Sequence, residues 1–143
     1  MYGVSYVPLK WSTTIAQSAQ AYANKLIGIS GCVIRHGYQG DSYGGENLAP
    51  NWGSSGVTGA TPDNVLTRWT ENEASTAGGH FTQVLWRGTK YVGCATASKS
   101  GCFIQVCRYI APGNCNLSSS NWKQSTLADS SPCGPQCPTE GCF

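Results

Sequence analysis

Apolar residues near the start of the chain recur at the spacing of a helix. Ile15, Ala19, Tyr22 and Leu26 are separated by four, three and four positions, so they share one face of an α-helix. Ser12 precedes them as an N-cap residue, and glycines follow Leu26 where the helix is expected to end. The pattern predicts an amphipathic helix with a face of small residues that can pack closely on a neighbour.

A second helix is predicted after a long glycine-rich stretch. Residues 31–61 are rich in glycine and are expected to be irregular. Thr61–Asp63 then provides an N-cap threonine, a proline at the first helical position and an acidic residue. In the helix that follows, Val65, Leu66 and Trp69 are expected to face the core.

Strand-like runs dominate the next part of the chain. His80–Trp86 is aromatic and β-branched, and the runs Tyr91–Ala97 and Cys102–Tyr109 flank a predicted hairpin turn at Ser98–Gly101. Helices followed by paired strands are typical of an α+β fold.

The cysteines indicate that this domain is secreted. The 143 residues fit a single domain and include eight cysteines without C-x-x-C pairs. Such a pattern is typical of a disulfide framework, which forms in oxidising compartments. Only 11% of the residues are charged, against about 25% in typical soluble domains. We recognise no signal peptide at the start of the sequence, so the prediction of a secreted, extracellular protein depends on the cysteines.

Charge and hydropathy argue against two classes of partner. The net charge of +2 is small and scattered, which does not favour nucleic acid or an anionic membrane. No apolar run reaches the ~20 residues that a membrane span needs. We therefore expect no nucleic-acid partner and no membrane span. We also expect a monomeric protein.

The composition shifts after Pro112 towards Asn, Ser, Pro and Cys. We predict that residues 1–115 form the main domain and that residues 116–143 are a cysteine-rich extension packed on it. The extension holds three cysteines, so at least one of them must bond outside it if all are oxidised within the chain. Cys115 is the expected partner.

Four short motifs resemble those of a known family. Gly79–Trp86 reads GHFTQVLW and Val106–Asn114 reads VCRYIAPGN, while Gly45–Ala49 and Pro8–Trp11 supply two more in the family's order. They resemble the CAP superfamily of cysteine-rich secretory proteins, antigen 5 allergens and pathogenesis-related proteins, in a style close to fungal pathogenesis-related-like members. The resemblance implies an α+β fold, a three-layer α-β-α sandwich with a central antiparallel sheet, stapled by disulfides. The bridges that it implies are Cys94–Cys107 and Cys32–Cys102.

The resemblance also implies a cavity with two histidines and two glutamates. His36, Glu46 and His80 match three of the family's positions, and the chain has no other histidine than these two. At the fourth position, three residues after the helix tryptophan, this sequence has Asn72 instead of glutamate.

Two glutamates flank Asn72 and compete for that fourth position. Residues three and four positions after Trp69 share its helix face, so Glu73 can replace the usual glutamate after a small shift. Glu71 lies on a different face of the helix from Trp69. We predict Glu73 as the fourth cavity residue.

Histidines that face carboxylates have three chemical uses. They can bind a divalent cation such as zinc, exchange protons in acid–base catalysis, or form a buried polar network. We name His36 and His80 as the candidate metal ligands and expect that no cofactor is required. We expect no catalytic residue, because the motif H-E-x-x-H is absent from the sequence.

The resulting hypothesis is a secreted, non-enzymatic binding protein. Its expected ligand is a small hydrophobic molecule, a fatty acid or a sterol, or else a host extracellular component. The loop Glu73–Gly79 is short and lacks aromatic residues, unlike the loop of sterol-binding relatives, which counts against a sterol. Two alternatives stay open: a metal-dependent or serine-type hydrolase that uses the His/Glu cleft, and an effector-type protein-interaction module.

Two further features have both a packing and a binding interpretation. The small residues Ala16, Ala19 and Ala23 could line a tunnel for an acyl chain, but close helix packing is favoured. Of the five tryptophans, Trp52 lies in a Gly/Ser-rich segment and is expected to be exposed, whereas the others are expected mostly in the core.

Overall fold

The computed structural model describes residues 7–37, 44–53, 59–74, 78–114, 117 and 126–127. Within these ranges the chain forms four strands, three α-helices and one π-helix. In chain order they are β1 (Lys10–Trp11), α1 (Thr13–Ile27), β2 (Gly45–Trp52), α2 (Pro62–Thr67), the π-helix (Arg68–Asn72), α3 (His80–Val84), β3 (Tyr91–Lys99) and β4 (Cys102–Ile110). None of the helices in these ranges is long and apolar enough to cross a membrane.

Helix α1 follows the predicted pattern. The side chain of Ser12 accepts a hydrogen bond from the backbone N–H of Ile15 at 3.3 Å, which satisfies a donor that the first turn leaves unpaired. The buried side chains are the predicted periodic residues together with Ala23. The helix ends at Ile27, and Gly28 follows as its C-cap.

The sheet has the strand order β1-β3-β4-β2. Strand β4 pairs antiparallel with both β2 and β3. The β3–β4 hairpin turns at Ser100 and Gly101, which both have positive φ, as tight hairpin turns require. The predicted antiparallel centre is therefore present, but the short edge strand β1 pairs parallel with β3, so the sheet is mixed.

Helical segments cover both faces of this sheet. Helix α1 packs on one face against β3 and β4, and its buried side chains form the main core with strand residues such as Leu48 and Ile104. On the other face, Val65 of α2 and Trp69 of the π-helix pack with Ala49 of β2. This arrangement confirms the α+β fold with helices on either side of a sheet.

Helix α1 approaches β3 so closely that only glycine fits at the point of contact. A Cβ atom on Gly93 would lie 2.2 Å from the backbone nitrogen of Ala16 and 2.6 Å from the carbonyl carbon of Ile15. Ala19 and Ala23 are fully buried in the same core. The small-residue face therefore packs directly on the sheet, in line with the packing interpretation.

Both disulfides that the family resemblance implies are present. Cys94 and Cys107 are direct neighbours on β3 and β4, with their Cα atoms 4.1 Å apart. Cys32 and Cys102 join the segment after α1 to the start of β4, with Cα atoms 5.6 Å apart. The other cysteines, Cys115, Cys133, Cys137 and Cys142, lie outside the described residues. The division into residues 1–115 and 116–143 stays a prediction for the same reason.

Two segments have a different structure from the one predicted. The strand β2 lies in the glycine-rich stretch that was expected to be irregular. Its residues Leu48 and Ala49 are buried on opposite faces, so no alternation of polar and apolar residues marks it as a strand. The run beginning at His80 is the helix α3 and not a strand, because the contacts of the folded chain override the β propensity of its residues.

Two apolar side chains are more exposed than predicted. Trp11, expected in the core, is 61% exposed on the edge strand β1, and Leu66, expected to face inward, is 48% exposed. Val65 and Trp69, four positions apart, occupy the buried face of their helical segment, which turns the intervening Leu66 outward. Trp52 is 60% exposed, as predicted.

Candidate functional site

His36 and Glu46 form the first of the predicted histidine–carboxylate pairs. The ring nitrogen Nδ1 of His36 lies 2.8 Å from Oε1 of Glu46. The imidazole is largely at the surface, with 63% of the side chain exposed, whereas the carboxylate side chain is only 5% exposed. The hydrogen bond to Glu46 raises the pKa of His36 above its ordinary value, against the opposing effect of partial burial.

Arg108, which the sequence analysis did not single out, holds the same carboxylate from the other side. Its Nε donates to Oε2 of Glu46 at 2.9 Å, and both side chains are buried. Its Nη1 donates to Oγ of Ser18 at 2.6 Å, and its guanidinium carbon lies 4.6 Å from the centre of the Tyr22 ring. Glu46 is therefore shared between a buried arginine and a surface histidine. An arginine between apolar residues of a strand is the signal that could have revealed it, since a buried cation needs a partner.

His80 and Glu73 form the second pair. The Nδ1 of His80 lies 2.9 and 3.0 Å from the two carboxylate oxygens of Glu73. The imidazole stacks on the indole of Trp69 at a centroid distance of 5.2 Å. Both members of the pair are about one-third exposed, so this pair is more open to solvent than the Glu46–Arg108 contact.

The π-helix explains why Glu73 and not Asn72 meets His80. A π-helix bonds residue i to residue i+5 and so carries more residues per turn than an α-helix. Residues Arg68–Asn72 adopt this conformation, which moves the residue facing the same side as Trp69 one position further along the chain. Glu73 is thereby brought to His80.

The two pairs lie on opposite faces of the sheet. Glu46 and Leu48, two positions apart on β2, share the face that α1 covers, and Asn47 between them points to the other face. There the side-chain amide of Asn47 donates to the carbonyl oxygen of His80 at 3.2 Å. In the part of the chain that the structure describes, no group of three or more His, Cys, Asp or Glu side chains is arranged to hold a metal ion. A joint role of His36, Glu46, Glu73 and His80 in cation or ligand binding stays a prediction.

Two of the sequence motifs contact each other and fix the position of α3. The hydroxyl of Thr82 donates to Oδ1 of Asn114 at 2.5 Å, and Nδ2 of Asn114 donates to the carbonyl oxygen of Gly79 at 3.1 Å. The backbone N–H of Gly113 donates to Oε1 of Gln83 at 3.0 Å. These bonds tie the helix that begins with His80 to the segment after β4. The motif residues thus position the second pair.

A large apolar cavity lies on the sheet face that carries the second pair. Its volume is about 900 Å³, within the range of small-molecule sites of roughly 300–1,000 Å³. The sheet supplies part of the lining through residues such as Val92 and Cys107, and the helical layer supplies Val65 and Trp69. Sequence reasoning did not locate this cavity, because its lining comes from segments that are far apart along the chain.

Exposed apolar side chains are part of the lining of this cavity. Val7, Trp11 and Leu66 line it and are among the most exposed large apolar residues in the described ranges. Exposed apolar patches of this kind mark binding surfaces more often than scattered single residues do. Trp11 and Leu66, which were predicted to lie in the core, therefore both line one apolar cavity that is open to solvent.

Comparison with known proteins supports the family resemblance of the sequence motifs. A sequence model of the cysteine-rich secretory protein family, CAP, matches residues 4–109. The chain belongs to the CAP family.

Curated relatives of this chain include fungal and plant proteins. The chain is 37% identical over 110 residues to "Repressed by EFG1 protein 1" of Candida albicans, covering 74% of this chain and 40% of that protein. It is 38% identical over 113 residues to the basic form of pathogenesis-related protein 1 of Nicotiana tabacum, covering 75% and 61%. It is 38% identical over 109 residues to Protein PRY2 of Saccharomyces cerevisiae, covering 74% and 32%. These matches confirm the resemblance to fungal and pathogenesis-related CAP proteins, and they span less than two thirds of each relative.

Solved structures agree with the CAP fold. Na-ASP-1 superposes with a TM-score of 0.55 at 22% identity, covering 76% of this chain and 30% of that one. The venom allergen-like protein 4 of Schistosoma mansoni superposes with a TM-score of 0.52 at 23% identity, covering 73% and 68%. At this level of identity the likeness concerns the fold alone.

Proposed function

We propose that this CAP protein is a secreted, non-enzymatic binding protein that takes a small hydrophobic molecule into the apolar cavity. The observation that carries the proposal is the cavity itself, about 900 Å³ in volume and lined mainly by aliphatic and aromatic side chains. Burial of apolar ligand surface in such a site contributes roughly 25 cal/mol per Å². The two disulfides among the described residues support a location outside the cell.

Binding is tested by mass spectrometry of natively purified protein, followed by calorimetric titration of the delipidated protein with hydrophobic ligands. Thr96→Trp narrows the cavity, because Thr96 lines it and is exposed on β3. Ser98→Trp is the matched control, since Ser98 is two positions along the same strand, also exposed, and outside the lining. We expect Thr96→Trp to lose binding and Ser98→Trp to keep it. Equal binding by both variants would contradict a ligand in this cavity.

The proposed location has its own test. The protein is followed by antibody in the culture medium and in the lysate of the organism that produces it. Accumulation in the medium with all cysteines oxidised is the expected result. Retention in the cytosol with free thiols would refute secretion.

A hydrolase is the second candidate, and the first histidine pair favours it. A carboxylate that fixes Nδ1 of a surface histidine leaves Nε2 facing outward, which is the orientation of a general base. Activity against activated esters that disappears in His36→Gln and survives in Lys99→Gln would support this function. Activity that persists in His36→Gln would rule it out.

A further inference from the structure

A cluster of three polar side chains lies on the sheet face that α2 and the π-helix cover. Asn51 of β2 and Gln105 of β4 are diagonal neighbours on that face, because Asn51 pairs with the residue two positions before Gln105. Arg68 reaches them from the helical layer, where its Nη1 donates to Oδ1 of Asn51 at 3.2 Å. Asn51 and Gln105 are 9% and 6% exposed. The polar cluster of Asn51, Arg68 and Gln105 is therefore largely buried.

Three atoms of the polar cluster are buried without a hydrogen-bond partner. They are Nη2 of Arg68, Nδ2 of Asn51 and Oε1 of Gln105. The orientation of both amides is fixed, since Oδ1 of Asn51 accepts from Arg68 and Nε2 of Gln105 donates to the carbonyl oxygen of Ala60. The unpaired groups are therefore two donors and one acceptor. Buried polar groups are rarely left unpaired in folded proteins, so these groups point to a ligand.

The charge of Arg68 has no anionic partner in the described part of the chain. The ion pairs found there use the carboxylates of Glu46 and Glu73, and none of them includes Arg68. Its Nη1 instead contacts the neutral amide of Asn51. A guanidinium that is turned away from water costs free energy unless an anion offsets the lost hydration. The polar cluster thus has an excess of positive charge as well as unpaired donors, which favours an anion.

The acceptor Oε1 of Gln105 restricts which anion fits. A fully deprotonated oxyanion such as sulfate can accept hydrogen bonds from the two donors, but it also turns oxygen lone pairs towards Gln105. An oxyanion that keeps one proton has a hydroxyl group that can donate to Oε1. Hydrogen phosphate has both kinds of group. A phosphate monoester loses its last proton with a pKa of about 6, so above neutral pH it lacks the hydroxyl.

We propose that the polar cluster of Asn51, Arg68 and Gln105 binds a small oxyanion that retains a hydroxyl group, such as hydrogen phosphate. Arg68 and Asn51 donate to its oxygens, and its hydroxyl donates to Gln105. Arg68 is partly exposed, which gives a small ion a route from solvent. Gln105 also lines the apolar cavity, but Arg68 and Asn51 are not among the described residues that line it. The oxyanion site goes beyond the proposed function and does not depend on it.

The test compares anions of similar size that differ in their protons. The protein is titrated by calorimetry with inorganic phosphate, sulfate and methyl phosphate at about pH 8, where the ester is fully deprotonated. We expect saturable binding of phosphate. Sulfate and methyl phosphate should bind about tenfold or more weakly, because each leaves the buried acceptor of Gln105 without a donor.

Variants of the polar cluster assign the binding to its residues. Arg68→Gln should abolish phosphate binding, and Asn51→Asp should do the same because it gives Arg68 a carboxylate within the protein. Gln105→Met removes the acceptor and should bring the Kd values of phosphate and sulfate within about twofold of each other. Lys99→Gln removes a positive charge at an exposed site outside the polar cluster and should bind phosphate like the unmodified protein. Near-ultraviolet circular dichroism verifies that each variant keeps the fold.

Several results would overturn the oxyanion site. Phosphate binding that persists in Arg68→Gln or in Asn51→Asp places the anion elsewhere. Equal Kd values for phosphate and sulfate in the unmodified protein, or a preference that survives in Gln105→Met, refute selection by Gln105. If no anion gives saturable heat, the unpaired groups bind water only. The binding of a hydrophobic molecule is decided separately, by the ligand titrations of Thr96→Trp and Ser98→Trp.

Discussion

At the scale of single residues, Glu46 illustrates how one buried neighbour changes what a carboxylate can do. Its carboxylate receives hydrogen bonds from both His36 and Arg108. Arg108 neutralises the carboxylate from within the core, so Glu46 has less negative charge to offer to an added cation than an unpaired glutamate would have. The His36–Glu46 pair is therefore better suited to fixing the imidazole than to binding a metal ion strongly.

Removing Arg108 should destabilise the protein strongly. Arg108→Met leaves the buried Glu46 without its main counter-charge, and losing one partner of a buried pair costs about 3–5 kcal/mol. The free energy of unfolding is measured by urea denaturation. Adding Glu46→Gln to the Arg108→Met variant should recover part of the loss, because the buried charge is then gone. No recovery in the double variant would show that packing and not charge dominates at Arg108.

The pH dependence of stability should report the first pair. The pKa of His36 is raised in the folded state, so the protonated histidine stabilises the fold fully below its unfolded pKa of about 6.5, and this contribution is lost as the pH rises through the folded value. His36→Gln should therefore destabilise the protein more at about pH 5 than at about pH 9. Denaturation curves of the unmodified protein and of His36→Gln at the two pH values check this. The prediction is wrong if the two proteins differ in free energy of unfolding by the same amount at both pH values.

At the scale of elements, close contact between α1 and β3 depends on one glycine. A methyl group on Gly93 would collide with backbone atoms of α1, which cannot move as a flexible side chain could. We expect Gly93→Ala to cost about 2 kcal/mol or more, at the upper end of typical overpacking effects. Gly59→Ala is the control, since its Cβ would meet only Oδ1 of Asn51 at 3.5 Å. If thermal unfolding shows that Gly93→Ala and Gly59→Ala lose the same stability, the close contact between α1 and β3 does not depend on the glycine.

The predictability of each element follows from how its residues are buried. Helix α1 was predictable because one face of it is buried and the periodicity is visible over about three turns. Strand β2 was not, because it is buried on both faces. Helix α3 has five residues, too few to show a helical period, and it is held by hydrogen bonds to the distant Gly113 and Asn114.

The candidate site was predictable in part. The motifs predict His36, Glu46 and His80 as cavity residues, helix spacing predicts Glu73, and the structure shows these four side chains as two hydrogen-bonded pairs. The separation of the pairs depends on which face of β2 each side chain takes, and that requires the strand to be recognised first. Arg108 and the cavity depend on contacts between segments that are far apart in sequence.

At the scale of the whole molecule, the sheet separates two histidine pairs, and their energetics should be independent. His36→Gln and His80→Gln change sites on opposite faces with no shared partner among the described residues. The effects of such changes on stability usually add within about 0.5 kcal/mol. A double-mutant cycle measured by urea denaturation, with and without added zinc, checks this. A larger coupling that appears with zinc would show that the ion joins the two pairs.

The placement of the tryptophans gives the protein an intrinsic optical probe. Trp11, Trp69 and Trp86 line the cavity, whereas Trp52 lies outside its lining and is exposed to water. Trp69 and Trp86 are buried already, whereas Trp11 is 61% exposed. A ligand that displaces water from the indole of Trp11 should shift its emission to shorter wavelength, while iodide should still quench Trp52. Replacing Trp52 by Phe would then leave a signal weighted towards the cavity, so that occupancy can be followed in real time without any attached dye. An emission spectrum that does not change on saturation with a bound ligand would place that ligand elsewhere on the molecule.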